Sequence, residues 1–168
     1  MSLNAKVMEC AHVQENEMTR YIVDAASEVF ATMVGLEIED CYPLVEPVTQ
    51  FHCSVTGMVG MAGSYTGMLS IHCPALLAMK VTSNMLGMEV DEVGDDVNDA
   101  LGEIANMLGG HVKQVLSKGG LDLNLSIPTV ISGETYTIRS IIDDDCVVIP
   151  FQCDGDRFLV GLTLRKEN

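Results

Sequence analysis

The chain has no tryptophan, 9 lysines and arginines against 24 aspartates and glutamates, and no apolar run near the roughly 18 to 20 residues that cross a bilayer. The scarcity of basic side chains argues against nucleic acid as a partner, because phosphate backbones are held mainly through Lys and Arg. A formal net charge of −15 disfavours anionic membrane surfaces for the same reason. A protein partner with a basic patch fits this balance better. The start of the chain lacks a basic stretch followed by a hydrophobic one, so no signal peptide is expected and the cytoplasm is the expected compartment. No C-x-x-C pair occurs among the six cysteines (Cys10, Cys41, Cys53, Cys73, Cys146, Cys153), which predicts reduced, partly buried small hydrophobes rather than a disulfide framework.

Metal and nucleophile patterns are equally thin. His52-Cys53 and His72-Cys73 lie in β-rich segments, where adjacent side chains point to opposite faces, so a His-Cys dipeptide is a poor chelate and no metal site is expected. Asp143-Asp144-Asp145 and Asp154-Gly155-Asp156 lack the spaced ligands of a calcium loop and read as turns. His12 and His111 have no matching nucleophile, and no G-x-S-x-G, Walker or dinucleotide motif is present. Methionines such as Met33, Met58, Met68, Met79 and Met85 fall at apolar positions and suit core filling.

What is there is a globular chain, 48 % hydrophobic over 168 residues, long enough for one domain or two fused halves. Residues 1–15 read as a flexible lead-in and 16–168 as a single domain. Tyr21, Ile22, Ala25, Ala26, Val29 and Met33 recur at helical spacing and predict a long helix from about Met18 to Gly35. Gln50–Val59 and Tyr65–Cys73 are β-rich and predict a hairpin joined by a loop at Gly60-Met61-Ala62-Gly63. Pro74 is placed to open a short helix over Ala75–Leu86 that Gly87 closes. A second long helix is predicted from about Asp95 to Leu116, its acidic start matching the helix dipole and Gly119-Gly120 ending it. The last third predicts strands over Leu121–Ile131, Glu134–Ile142, Cys146–Cys153 and Arg157–Arg165, with turns at Ser132-Gly133, Asp143–Asp145 and Asp154-Gly155. The fold class is therefore α+β: an antiparallel sheet of about six strands with two long helices and one short helix. Ala25–Ala31 resembles Ala100–Asn106, which hints at an internal pseudo-repeat.

On a wheel of about 100° per residue, Val97, Leu101, Ile104, Leu108, Val112 and Val115 of the second long helix form an apolar stripe. Asp99, Glu103, Asn106, Gly110 and Lys113 fall on the opposite face, where Glu103 and Asn106, three apart, are surface neighbours. Asparagine prefers caps and turns, so a mid-helix Asn106 is unusual. Gly109-Gly110, each costing about 1 kcal/mol relative to alanine, would leave room for another protein to approach. By itself this pattern also suits a plain solvated helix face.

Asp99-x-x-x-Glu103-x-x-Asn106, followed 22 positions later by Pro128, resembles the signature of the CheC/CheX/FliY chemotaxis phosphatase family. The flanking Ala100–Gly110 and the first-helix segment Phe30–Glu37 are similar to CheX-type members, and the resemblance spans about Met18 to Leu164. CheC-type members carry a second E-x-x-N in the first helix, where this chain has Ala31 in place of Asn. One active site per chain is implied.

The resemblance further implies hydrolysis of the aspartyl-phosphate on a phosphorylated CheY-like response regulator, in chemotaxis or related signalling. Asn106 would orient the attacking water and Glu103 would pair with the regulator's lysine, both catalytic; Asp99, Gly110 and Lys113 would dock the partner. No cofactor of its own is implied, since the divalent metal ion belongs to the regulator. Family members of this kind are often homodimers. The rival expectation is a non-catalytic regulator-binding adaptor of the flagellar-switch kind, and a weaker one is a small-ligand sensor.

Overall fold

The computed structural model describes residues 15–118, 122–138 and 146–165. The first helix, α1, covers Glu15–Val29 and continues as a π turn over Phe30–Val34. Met18, Ile22, Ala25, Ala26 and Val29 bury its apolar stripe. Gly35 ends it in the left-handed conformation (φ 71°), its N–H bonding the Phe30 carbonyl, and Asn84 Nδ2 donates to the Val34 carbonyl at 3.1 Å. The turn widens where Phe30 enters the core and stacks on Phe158, with ring centroids 4.9 Å apart. That π turn is invisible in the sequence pattern.

Helix α2 spans Ala75–Leu86 between Pro74 and a left-handed Gly87, as the sequence predicts. Helix α3 spans Asp95–Lys118, with Asp95 and Asp96 in the first turn. Gly119-Gly120, expected to end it, lie outside the described residues.

Among the described residues seven strands form one antiparallel sheet: β1 Glu39–Asp40, β2 Phe51–Gly63, β3 Thr66–Pro74, β4 Leu123–Leu125, β5 Thr129–Tyr136, β6 Cys146–Cys153 and β7 Asp156–Arg165. Their order is β1-β6-β7-β3-β2-β4, with β5 also on β2. The two hairpins, β2–β3 and β6–β7, meet through β3 and β7 at the centre of the sheet. Each follows one of the long helices in the chain, which is the structural counterpart of the pseudo-repeat. Asp154 and Gly155 both have positive φ, 51° and 82°, and make the tight β6–β7 turn that an Asp-Gly pair favours.

Two expectations need correction. Gly60–Gly63 is strand rather than loop, paired to β3 through Met61↔Gly67 and to β4 through Gly63↔Leu123. A Cβ on Gly63 would stand 2.1 Å from the Asp122 carbonyl oxygen, so this glycine answers to a backbone crossing and not to a wide turn. Ser132-Gly133 is not a turn either: β5 runs through it, opposite Val55 and Ser54 of β2. The break falls instead at Ser126–Pro128, where the proline offers no N–H to a ladder. The two-residue β1 was not foreseen. Residues 139–145, which hold the end of the strand expected over 134–142 and the expected aspartate turn, lie outside the described residues.

The helices cover one face of the sheet, where Val55, Val59, Leu69, Ile71, Ile149 and Leu162 share one core with Leu101, Ile104 and Leu108 of α3. A smaller apolar cluster of Phe51, Ile138, Cys146, Val148 and Leu159 lies on the other face, with Leu44 and Val48 packed against it.

Candidate functional site

Helix α3 is pressed onto β2 by small residues on both sides. A Cβ on Gly57 of β2 would come 2.7 Å from the Leu101 carbonyl oxygen, and one on Gly109 would come 3.1 Å from Val59 Cγ1. Gly109 thus belongs to helix–sheet packing, which corrects the expectation that both glycines of the pair make room for a partner. Gly110 fits that expectation, with nothing within 4 Å of the position a Cβ would take. Val97, Leu101, Ile104, Leu108 and Val112 are buried as the wheel requires, Val115 partly, while Leu116 is buried outright.

The opposite face carries the sequence-predicted residues together. Asp99 and Glu103 are exposed, and Asn106, Gly110 and Lys113 are half-buried. Glu103 and Asn106 sit on adjacent turns of a regular 24-residue helix. Among the described residues neither side chain makes a hydrogen bond or ion pair, nor do those of Asp99 and Lys113. A carboxylate that only accepts and a carboxamide that both accepts and donates therefore stand side by side, rigidly spaced and uncommitted. Such a pair can engage a cation with one member and a water molecule with the other.

The link from β4 to β5 walls this face on the Asn106 side, a feature that sequence reasoning missed apart from Pro128. Gly102, buried, faces Pro128 Cβ and Val130 Cγ2, each 3.5 Å from the place of a Cβ. The matching positions on α1, Glu28 and Ala31, are both exposed, yet the π turn begins at Phe30 between them. That helix offers neither the amide nor the regular spacing.

The His-Cys dipeptides behave differently. His72 is buried, Nδ1 against Thr56 Oγ1 at 2.9 Å and Nε2 against Ser70 Oγ at 2.8 Å, under the ring of Phe51 at 4.5 Å. Burial pulls its pKa down to about 3. Thr56 Oγ1 also meets the Tyr136 hydroxyl at 2.8 Å, and burial raises the pKa of that phenol. Cys73 is buried and its thiol pushed up by the same cause, whereas His52 and Cys53 are exposed. Cys41, Cys53, Cys73, Cys146 and Cys153 are all free thiols. Among the described residues no group of three or more His, Cys, Asp or Glu side chains is arranged to hold a metal ion, and no helix is long and apolar enough to cross a membrane.

Comparison with known proteins bears on the same face. The family described as Chemotaxis phosphatase CheX matches residues 55–152. The CheY-P phosphatase CheX of Thermotoga maritima is 27% identical over 120 residues, covering 71% of this chain and 77% of that protein. The crystal structure of a chemotaxis protein CheX from Desulfovibrio desulfuricans superposes with a TM-score of 0.78 at 29% identity, covering 89% of this chain and 99% of the other. CheX from Borrelia burgdorferi, crystallised as a CheX–CheY–BeF3–Mg complex, gives 0.70 at 25% identity over 89% and 98%. With more than half its length matched, and α3 inside the matched span, this chain belongs to the CheX chemotaxis phosphatase family.

Proposed function

We propose that this chain hydrolyses the aspartyl-phosphate of a CheY-like response regulator in chemotaxis or related two-component signalling. The observation that carries the reading is the uncommitted Glu103–Asn106 pair on the outward face of α3, in a chain of this family. The Borrelia relative captured with CheY, BeF3 and Mg supports a regulator as the partner.

Asn106 enters the regulator's phosphorylation site and holds a water molecule in line with the phosphorus. Its carboxamide accepts from the water and donates elsewhere without titrating at any working pH; the water-positioning glutamine of GTPases does comparable work. The water oxygen bonds to phosphorus as the bond to the aspartyl oxygen breaks, leaving inorganic phosphate and a free carboxylate. Glu103 pairs with the regulator's active-site lysine and sets the register. Because both side chains project from one stiff helix, docking places both at once. Asp99, Gly110 and Lys113 border the pair and contact the regulator, Gly110 by leaving its backbone approachable. The divalent ion in this scheme is the regulator's own.

The chain acts in the cytoplasm, where such regulators work, and as a homodimer. Among the described residues β5 pairs only with β2, so its other edge, which carries no lysine or proline, is available to a second copy. The test is phosphate release from a phosphorylated regulator with and without this protein. Release faster than the regulator's own decay supports the reading. Tight binding without faster release would make the chain an adaptor.

A further inference from the structure

Beside Asn106 stands a side chain that neither the core nor the proposed chemistry uses. Ile127 is 87% exposed, in the three-residue link Ser126–Pro128 between β4 and β5. The link is held firmly. The Ser126 N–H donates to the Gly60 carbonyl at 2.9 Å, while Ser126 Oγ accepts from the Gly60 N–H at 2.8 Å and donates to the Ile127 carbonyl at 3.0 Å. Pro128 fixes its own φ and packs toward Gly102.

Its position follows from its neighbours. Leu125 reaches the place of a Cβ on Gly109 at 3.7 Å, and Pro128 reaches that of Gly102 at 3.5 Å. The link therefore runs alongside α3 in the opposite direction, and Ile127 falls next to the turn carrying Asn106. A large aliphatic side chain left in water on a stiff support, at the rim of a polar pair, has no use in the isolated chain. Presented to a partner, it needs little ordering to bind.

Resting on the phosphatase reading, we propose that Ile127 is the apolar docking residue for the regulator's receiver domain, seating against an apolar patch beside its phosphorylation site while Glu103 and Asn106 enter the site itself. Continuity with the catalytic face names the occupant. A polar pair alone gives orientation but little buried area, whereas an aliphatic anchor adjoining it supplies affinity and keeps bulk water from the edge of the site.

The experiment measures phosphate release from the phosphorylated regulator across a range of regulator concentrations for wild type, Ile127→Ser and Ile127→Leu, with direct binding of the same regulator by calorimetry. Ile127→Ser is expected to raise the half-saturating concentration and the Kd about tenfold while the maximal rate holds, and Ile127→Leu to stay near wild type. Thermal melting of Ile127→Ser should match wild type, since the side chain lies outside the core. An unchanged half-saturation and Kd in Ile127→Ser overturns the proposal, as does a lower maximal rate at unchanged half-saturation. If wild type binds the regulator without releasing phosphate, the phosphatase reading fails and the Kd comparison alone decides Ile127. If wild type does not bind, both fall.

Discussion

Two groups of polar side chains in this molecule differ in where their hydrogen bonds go. Behind the sheet, Tyr136, Thr56, His72 and Ser70 form a closed chain in which both ring nitrogens of the histidine and three hydroxyls are paired. On the outward face of α3, Asp99, Glu103 and Asn106 make no such bonds among the described residues. A buried polar group must be satisfied within the fold or it costs stability, so the first set is architecture. A set left open on the outer face of a stiff helix costs little stability if altered, so its residue types answer to something outside the chain. The two sets should therefore respond oppositely to mutation: the closed one through stability, the open one through activity.

The strongest test of that contrast is Asn106→Ala. Regulator dephosphorylation is expected to fall about 100-fold or more, equivalent to about 2.7 kcal/mol of lost positioning. The urea midpoint should stay at the wild-type value or rise slightly, because alanine is the better helix former. Near-normal turnover would remove Asn106 from the chemistry, and a large loss of stability would erase the contrast.

The closed set is tested by pH. Burial holds His72 near a pKa of about 3, against an ordinary 6.5. As pH falls below 6.5 the unfolded chain takes up this proton and the folded chain does not, so stability is lost through the window from 6.5 down to about 3 and is fully present above it. At about pH 5 the loss comes to about 2 kcal/mol. His72→Gln removes the titration while keeping hydrogen-bonding groups. Urea unfolding of both proteins at about pH 7.5 and about pH 5 should show wild type losing about 2 kcal/mol more than the variant. Equal losses would mean that His72 is not held neutral in the fold.

A smaller effect is expected on the open face from Glu103→Lys. On the proposed docking, reversing the charge would set a cation against the regulator's lysine, and apparent affinity should drop about tenfold, more at low ionic strength than at high. Salt-independent loss would point to misfolding rather than to docking.

Much of this contrast was legible in the sequence, for a local reason. The three helices show because apolar spacing, Pro74, Gly87 and the acidic start at Asp95 are all written within a few residues of where they act. The placement of Glu103 and Asn106 on the outer face follows from the same period. The β6–β7 turn shows because Asp154-Gly155 encodes it alone. What stayed hidden depends on distant partners. Ser132-Gly133 looks like a turn until β2 supplies the ladder, and Gly60 looks like a loop until Ser126, 66 residues away, bonds to it. Thr56 and Tyr136, 80 residues apart, give no joint signal, and neither does Ile127, whose meaning depends on lying beside α3. The π turn at Phe30 follows a stacking partner, Phe158, that the first helix cannot foretell.

The finest test separates two adjacent glycines that composition treats alike. Gly109 faces Val59 Cγ1 at 3.1 Å from the position of a Cβ, and Val59 is fully buried in the long strand β2, with little room to yield. Gly110 meets nothing within 4 Å. In Gly110→Ala only the helix-propensity gain remains, so stability should rise by about 1 kcal/mol. In Gly109→Ala the same gain is opposed by overpacking of about 1 to 3 kcal/mol, and the variant should be less stable than Gly110→Ala by that amount. Activity should run the other way: Gly110→Ala, although more stable, is expected to lose several-fold in dephosphorylation, because the new methyl group would stand on the face proposed to dock the regulator. Gly109→Ala should keep its rate wherever it is folded. If Gly110→Ala were both more stable and fully active, the open face would end at Asn106 and Gly110 would have no part in docking.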